Sequence, residues 1–292
     1  MKKMIIFALS CTFALLGFLV IADNGAAASS KTMYVTADSL NVRQAPSIKA
    51  KIETKVKKHT ALIVQEVDGS WSKVTVNQQT GWVSSKYLTL KKPQNYANRL
   101  KTIDKNSQLI LVTSNGGKSS KADIMTYDRN KKGKWVLRMK VKGHIGKYGF
   151  TTNKTEGNSE TPVGKYTIGT AFGQKGNPGT KLPFRNITND DVWVDDPSSK
   201  LYNTWQSREK TEHMWKSAEN MNHKLYKYGF VINYNTKRIP NKGSAIFFHI
   251  GNSYTLGCTA TSETNVIRIL KWLDPKKEPV IIQTPLNALN KY

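Results

Sequence analysis

The sequence predicts a mainly β protein: a small barrel near the N-terminus, then a larger β-sandwich or barrel-like domain with a few helices. Three observations carry this reading. Short runs rich in Val, Ile, Thr and aromatic residues alternate with polar positions through much of the chain. Turn signals such as Ala45-Pro46-Ser47 and Asp68-Gly69-Ser70 separate them. A helical apolar face is confined to a stretch near the C-terminus, where Val266, Ile269, Leu270 and Leu273 recur at helical spacing.

The chain opens with Lys2 and Lys3, an apolar run from Met4 to Ala22, and small residues ending at Ala26–Ala28. This order of charge, apolar stretch and Ala-x-Ala reads as a secretory signal peptide over residues 1–28, cleaved after Ala28. Cys11 sits too early in it for a lipoprotein and is expected to leave with it. Beyond the leader no run is long enough to cross a membrane. Of the formal net charge of +25, the leader accounts for two lysines and one aspartate, so the mature chain keeps +24. It also keeps a single cysteine, so its stability must come from packed cores rather than an internal disulfide. The lysines are spread along strands rather than held in one block. A basic surface attracts polyanions. For an exported protein these are anionic wall polymers and lipid head groups. The wall polymers are the expected partner, over a basic surface with no dedicated one, and no nucleic acid is expected.

Residues 32–90 contain five short strand signals: Met33–Val35, Leu40–Arg43, Ala61–Glu66, Trp71–Val76 and Gly81–Val83. So many in so few residues predict a small barrel, with Trp82 in its core and the place of Tyr87 open. The run Leu40-Asn-Val-Arg-Gln-Ala-Pro-Ser47, then Trp71-Ser-Lys-Val74, then Gly81-Trp-Val-Ser-Ser-Lys-Tyr-Leu88 resembles a bacterial SH3 (SH3b) domain along its whole length. The resemblance implies a cell-wall-binding module. Residues 91–106 are polar and aperiodic and read as a linker.

The larger domain is expected over residues 107–285. Leu109–Thr113, Ile124–Asp128 and Lys134–Val141 read as strands, the last two as a hairpin around Asp128–Gly133. Gly157–Gly173 is a glycine-punctuated strand without the Gly-Lys-Ser/Thr ending of a phosphate loop. Asp190–Pro197 is a strand running into an acidic turn. Trp205–Tyr228 is polar and too long for a plain connection, as in a lid or binding loop. His213 and His223 lie here, but their spacing and the lack of cysteines do not make a metal site. Neither a metal nor a cofactor is expected.

The chemistry concentrates between Ala245 and Ala260. In the strand signal ending at His249, Ala245, Phe247 and His249 share one face, and Ile246, Phe248 and Ile250 the other. Nine residues on, after Gly257, stands Cys258, the only cysteine outside the leader. A thiol attacks as the thiolate, and a nearby imidazole is the usual acceptor of its proton. The helix predicted downstream places the thiol just ahead of a helix N-terminus, which favours the anion. Backbone N–H groups around Gly257, Cys258 and Thr259 are candidates for an oxyanion hole.

Thr161-Pro-Val-Gly-Lys-Tyr-Thr-Ile168, Val192-Trp-Val-Asp-Asp-Pro197, Lys242-Gly-Ser-Ala-Ile-Phe-Phe-His249 and Leu256-Gly-Cys258 together resemble a YkuD-type L,D-transpeptidase catalytic domain. The resemblance implies that Cys258 attacks a peptidoglycan tetrapeptide stem, releases D-alanine and passes the acyl group to an acceptor amine. His249 becomes the base and then the acid, and Gly257 part of the oxyanion site. Trp193, Tyr234, Thr255 and Thr259 are candidate substrate contacts. The expected partners are peptidoglycan stem peptides, and the expected location is the bacterial cell wall. The sequence departs from the family's usual form at Ala260, where an Arg or Asn is common, and in a shorter His-to-Cys interval. Alternatives are an L,D-carboxypeptidase with the same cysteine and a non-catalytic wall-binding protein. A sortase would carry its histidine further upstream and an arginine on a following strand. An NlpC/P60 endopeptidase would place cysteine before histidine.

Overall fold

The computed structural model describes residues 30–92 and 94–292, so the predicted signal peptide, residues 1–28, lies outside the described residues. The chain divides into two compact units between Gln94 and Asn95.

The first unit is an all-antiparallel sheet. Its strands are β1 (Lys31–Val35), β2 (Ser39–Arg43), β3 (Ile52–Lys57), β4 (Ala61–Asp68), β5 (Trp71–Val76), β6 (Gln79–Ser84) and β7 (Leu88–Thr89). They lie in the order β3-β2-β6-β5-β4-β1-β7. Period-two alternation turns Leu40, Val42, Val56, Leu62, Val64, Val74 and Val83 into one buried cluster with Val35. Gly81 is required beside it, because a Cβ there would come within 2.5 Å of Val42 Cγ1. Trp82 is not in this core. Val83 takes the inward position, and Trp82 stands on the other face, in register with Arg43 and Lys73 on its neighbours. The Lys73 ammonium lies 5.7 Å from its ring centroid. Tyr87 is exposed, with the Lys86 ammonium 4.8 Å from its ring.

The second unit begins earlier than expected. Ala97, Leu100 and Ile103, placed by sequence in a linker, are buried against Leu109, Tyr127 and Trp135. It also runs further, since Leu289 joins the same cluster and the Tyr292 carbonyl accepts from the amides of Lys101 and Thr102. Its polar composition hid this segment, because only one residue in three or four faces the core.

Strands β9 (Lys121–Arg129) and β10 (Trp135–His144) form the predicted hairpin, and β8 (Gln108–Ser114) pairs with β9 to extend it into a meander. The short pair β11 (Phe150–Thr151) and β12 (Thr161–Pro162) follows, then the ten-residue β13 (Gly164–Gly173) and β14 (Phe184–Asn186). A separate three-stranded sheet comprises β15 (Asp191–Val194), β16 (Thr204–Ser207) and β17 (Ala218–Asn220), with a single helical turn, α1 (Arg208–Thr211), between the last two. Then come β18 (Tyr228–Ile232), β19 (Phe247–Ile250), β20 (Thr259–Thr261), helix α2 (Glu263–Trp272) and β21 (Val280–Pro285).

The main sheet runs β14-β13-β18-β19-β20-β10-β9-β8-β21, and β21 pairs back onto β13. One half of β13 bonds β21, through Gly164–Thr167, and the other bonds β18, through Ile168–Gly173. The sheet therefore closes on itself as a barrel and leaves few free edges. Helix α2 buries Val266, Ile269 and Leu270 against Phe230, Phe248 and Ile124. Each such side chain contributes roughly 2 kcal/mol by burial. The opposite face of β18 and β19 carries Val231 and Phe247; Trp193 of the three-stranded sheet covers it together with Met221 and Tyr226 from the segment after β17. What the sequence reads as a lid over 205–228 is thus a packed wall on that face.

Candidate active site

Phe247 and His249 sit on the face of β19 turned toward the three-stranded sheet, and Phe248 faces the helix side, as the alternation predicts. Strand β20 runs parallel to β19, with His249 opposite Ala260 and Phe248 opposite Thr259. Cys258, one residue before β20, therefore falls beside Phe247, on the same face as His249. Both residues line one cleft of about 650 Å³, which also receives Lys154, Glu156, Asp195, Glu219 and Tyr226.

The sulfur is held by backbone. Phe247 N–H donates to Cys258 Sγ at 3.3 Å, and the thiol donates to the Ala245 carbonyl at 3.2 Å. His249 is buried, and its ring meets that of Tyr226 edge-on at 5.2 Å between centroids. Its Nδ1 is 2.8 Å from the Ile250 carbonyl. A carbonyl only accepts, so Nδ1 carries the proton and Nε2 keeps its lone pair. No hydrogen bond joins the imidazole to the sulfur among the described residues.

Burial sets the charge states. It pushes the Cys258 thiol up to about 12; Glu219 adds to the rise, and the Phe247 amide and the Lys154 ammonium oppose it. Burial holds His249 down at about 4, against the favourable Ile250 carbonyl and with help from His223. The resting pair is thus a neutral thiol and a neutral imidazole, not an ion pair.

The structure places the other predicted site residues unevenly. Thr255 lines the cleft, and its hydroxyl donates to the Cys258 carbonyl at 2.7 Å. Gly257 does not line it. Its φ of +146° and the close approach of Lys154 Nζ, Glu160 O and Ile246 Cδ1 explain the glycine instead. Its amide is taken by Thr255 Oγ1 at 3.2 Å. Thr259 is fully buried, and its hydroxyl donates to Gln283 at 2.6 Å. Trp193 is core, its Nε1 donating to Asn203 Oδ1 at 2.9 Å. Tyr234 packs edge-on against Tyr166 and donates to the Lys242 carbonyl at 2.5 Å. Nor does α2 begin at the thiol. The β-branched Thr259 and Thr261 extend the sheet as β20, and the helix starts only at Glu263.

Lys154 is a functional candidate that sequence reasoning missed. It is 7 % exposed and reaches from the loop after β11 to the turn before the cysteine. Its ammonium donates to Asn158 Oδ1 at 2.8 Å, to the Asn158 carbonyl, and to the Leu256 carbonyl at 3.2 Å. Nothing in the run Thr151-Thr-Asn-Lys-Thr-Glu156 marks it, because its role depends on a contact 102 residues away. Glu219 and Tyr226, joined by a hydrogen bond, were equally silent. Asp195 lay in the acidic turn after β15, which was a signal.

Residues 102–282 match the family of L,D-transpeptidase catalytic domains. The chain belongs to the L,D-transpeptidase family. Residues 38–89 match the bacterial SH3 domain, so the L,D-transpeptidase domain follows a module of bacterial SH3 type, and the pair fits a protein acting at the bacterial cell wall. No curated protein matches the chain. A solved structure, the helical cell shape determining protein Pgp2 from Campylobacter jejuni, is similar at 14 % identity and a TM-score of 0.34. The alignment covers 65 % of this chain and 53 % of that one, so the chain spans about half the length of the structure it matches. Among the described residues no helix is long and apolar enough to cross a membrane.

Proposed function

We propose that this L,D-transpeptidase works through Cys258 as nucleophile and His249 as general base. One observation carries the reading: the sulfur and the imidazole lie on one face of adjacent strands and open into one cleft. The Ile250 carbonyl fixes the imidazole in the tautomer that leaves Nε2 basic.

The thiol proton moves to His249 Nε2 as the sulfur attacks the carbonyl carbon between the third residue of a tetrapeptide stem and its terminal D-alanine. The C–N bond then breaks, and the imidazolium proton leaves with the amine of D-alanine. The thioester that remains is resolved by an acceptor amine, which gives up a proton to His249 and forms a new amide as the C–S bond breaks; that proton then returns to the Cys258 sulfur. The neutral resting pair requires proton transfer to accompany attack, rather than to precede it. With the Gly257 amide engaged by Thr255, the amides of Cys258 and Thr259 remain as the oxyanion donors of this reading.

The SH3 unit, with its Arg43–Trp82–Lys73 row, and the excess of lysine support attraction to anionic wall polymers by an exported protein. Binding to purified walls should then weaken as salt rises; binding indifferent to salt contradicts it.

The deciding experiment incubates the protein with defined tetrapeptide muropeptides and weighs the products. Cross-linked dimer supports transfer, and tripeptide alone supports an L,D-carboxypeptidase with the same acyl-enzyme. If neither forms and no mass is added to Cys258, the assignment fails and a wall-binding role remains.

A further inference from the structure

The cleft of this strongly basic protein has an acidic wall. Glu156, Asp195 and Glu219 all line it, and Lys154 is the only lysine or arginine that does so among the described residues. Lys154 cannot serve a ligand readily, because its hydrogens are spent on Asn158 and Leu256. The chain has 45 lysines and arginines against 20 acidic residues, so an ion-pair partner is easily supplied. Yet the described ion pairs include none of these three carboxylates.

Register brings two of them together. Trp193 on β15 stands opposite Glu219 on β17, and Val194 stands opposite Ala218. Partners in an antiparallel pair share a face, and so do residues two apart, which puts Asp195 on the face of Glu219. Glu219 is hydrogen-bonded only by the Tyr226 phenol, and Glu156 by the Tyr202 phenol. Neither phenol carries a compensating charge; the Lys154 ammonium acts on Glu156 through space, and burial raises Glu219 to about 7.

Two further atoms suit a ligand at this wall. Asp195 Oδ1 and Ser244 Oγ are both buried and both belong to residues lining the cleft; Asp195 Oδ1 has no hydrogen-bond partner, and Ser244 has only the Tyr202 phenol beside it. Ser244 is only 6 % exposed, and it lies next to Ala245, whose carbonyl holds the thiol. A buried polar group without a partner is costly, so such atoms are uncommon unless a ligand or water satisfies them. The occupant must bring hydrogen-bond donors and positive charge. The described residues form no cluster of three acidic, histidine or cysteine groups close enough to hold a metal ion. A spread of single acceptors suits an ammonium, which has three donors and no demand for tight convergence.

We propose that Glu156, Asp195, Glu219 and Ser244 form a subsite for the side-chain ammonium of a diamino acid in the peptidoglycan stem. This rests on the peptide-substrate reading above and deepens it. Such an ammonium has two sources: the third residue of the donor stem itself, or the amine of the acceptor. Its arrival also bears on the thiol. Glu219 helps keep Cys258 protonated, so a seated cation removes part of that opposition to the thiolate.

The test separates binding from chemistry. With Cys258→Ala in the otherwise intact protein, calorimetry compares a tetrapeptide bearing lysine as its third residue with the same peptide acetylated on the lysine amine. The free amine is expected to bind at least tenfold tighter. That ratio should fall below threefold when Asp195→Asn or Glu219→Gln is added, with a melting curve confirming that each variant is folded. Equal affinities, no binding of either peptide, or a preference that survives both substitutions overturns the proposal. D-alanine release by the wild-type protein is a separate readout, so the acyl-transfer reading can stand while this one falls. Kinetics then assign the source. If the donor supplies the ammonium, Glu219→Gln raises KM for D-alanine release. If the acceptor does, it raises the half-saturating concentration of a tripeptide acceptor by a larger factor than it raises donor KM.

Discussion

The Ala245 carbonyl meets the Cys258 thiol at 3.2 Å from a backbone turned into the left-handed region, at φ +52°. For a residue with a Cβ this conformation costs about 1–2 kcal/mol and persists only if neighbours enforce it. Asn203 is the enforcing neighbour. Its Oδ1 accepts from Ala245 N at 3.2 Å and from Trp193 Nε1 at 2.9 Å, while its Nδ2 donates to the carbonyls of Tyr234 and Asn235. One amide thus ties the wall sheet to the segment that presents the nucleophile.

Asn203→Ala should therefore destabilise the protein by roughly 2–3 kcal/mol, since it strands several buried partners at once. It should also change the rate at which Cys258 is alkylated. Asn203→Asp keeps the acceptors and loses the donors, and should fall between the two. Urea unfolding with iodoacetamide labelling tests this; a Cys258 whose reactivity ignores Asn203 would show that the Ala245 turn holds without it.

Burial places the resting thiol near 12, so alkylation of Cys258 by neutral iodoacetamide should keep rising from pH 7 to pH 10. A free cysteine levels off near its ordinary value of about 8.5. Lys154→Met removes a positive charge that opposes the shift, and should slow alkylation at every pH in that range. A plateau below pH 9 in the wild-type protein, or faster labelling in Lys154→Met, would refute this picture of the site.

How much of this was readable in the sequence depends on how local the cause is. Leu40, Val42, Val74 and Val83 announce their strands because period-two burial is a local pattern, and the His249 strand did the same. Trp82 misled because hydrophobicity alone does not say which face a half-buried aromatic takes. The gap between Cys258 and helix α2 was misread because Thr259-Ala260-Thr261 looks like a helix lead-in, although it is drawn into the gap between β10 and β19. Ala260 is explained only in three dimensions: it lies opposite His249, and its Cβ already packs within 3.0 Å of where a Cβ on Gly251 would stand. Lys154, Glu219 and Asn203 act through contacts dozens of residues away, and no periodicity records those.

The buried His249 and the half-buried Glu219 should tilt stability in opposite directions with pH. His249 is held at about 4 in the folded protein against an ordinary 6.5, so the unfolded chain takes up the proton first. Its contribution is complete above pH 6.5 and is lost as pH falls through 4, on the order of 3 kcal/mol in all. Glu219 is raised by burial to about 7 from 4.5, with Asp195 and Glu156 adding to the rise. Its contribution is complete below pH 4.5 and is lost as pH rises through 7. Relative to His249→Asn, the wild-type protein should lose stability from pH 6.5 to pH 4; relative to Glu219→Gln, it should lose stability from pH 4.5 to pH 7. Urea midpoints across pH 4–8 read both, and parallel curves for either variant would remove that group from the account.

Gly257→Ala tests whether the turn before the nucleophile is built for backbone or for substrate. A Cβ there would stand 3.0 Å from Lys154 Nζ and 3.2 Å from both Glu160 O and Ile246 Cδ1, at a φ that side chains rarely adopt. A loss of roughly 1–3 kcal/mol is expected. The lysine is a flexible side chain, but the Glu160 carbonyl is backbone that cannot swing away. Adding Lys154→Ala should therefore recover only part of the packing cost. Gly257 does not line the cleft, so any loss of Cys258 reactivity should follow displacement of the sulfur rather than blocked access. The double-mutant cycle on stability, read with the iodoacetamide rate, separates the two: full rescue by Lys154→Ala would place the whole cost on the lysine contact, and unchanged stability with lost labelling would mean that Gly257 serves the ligand after all.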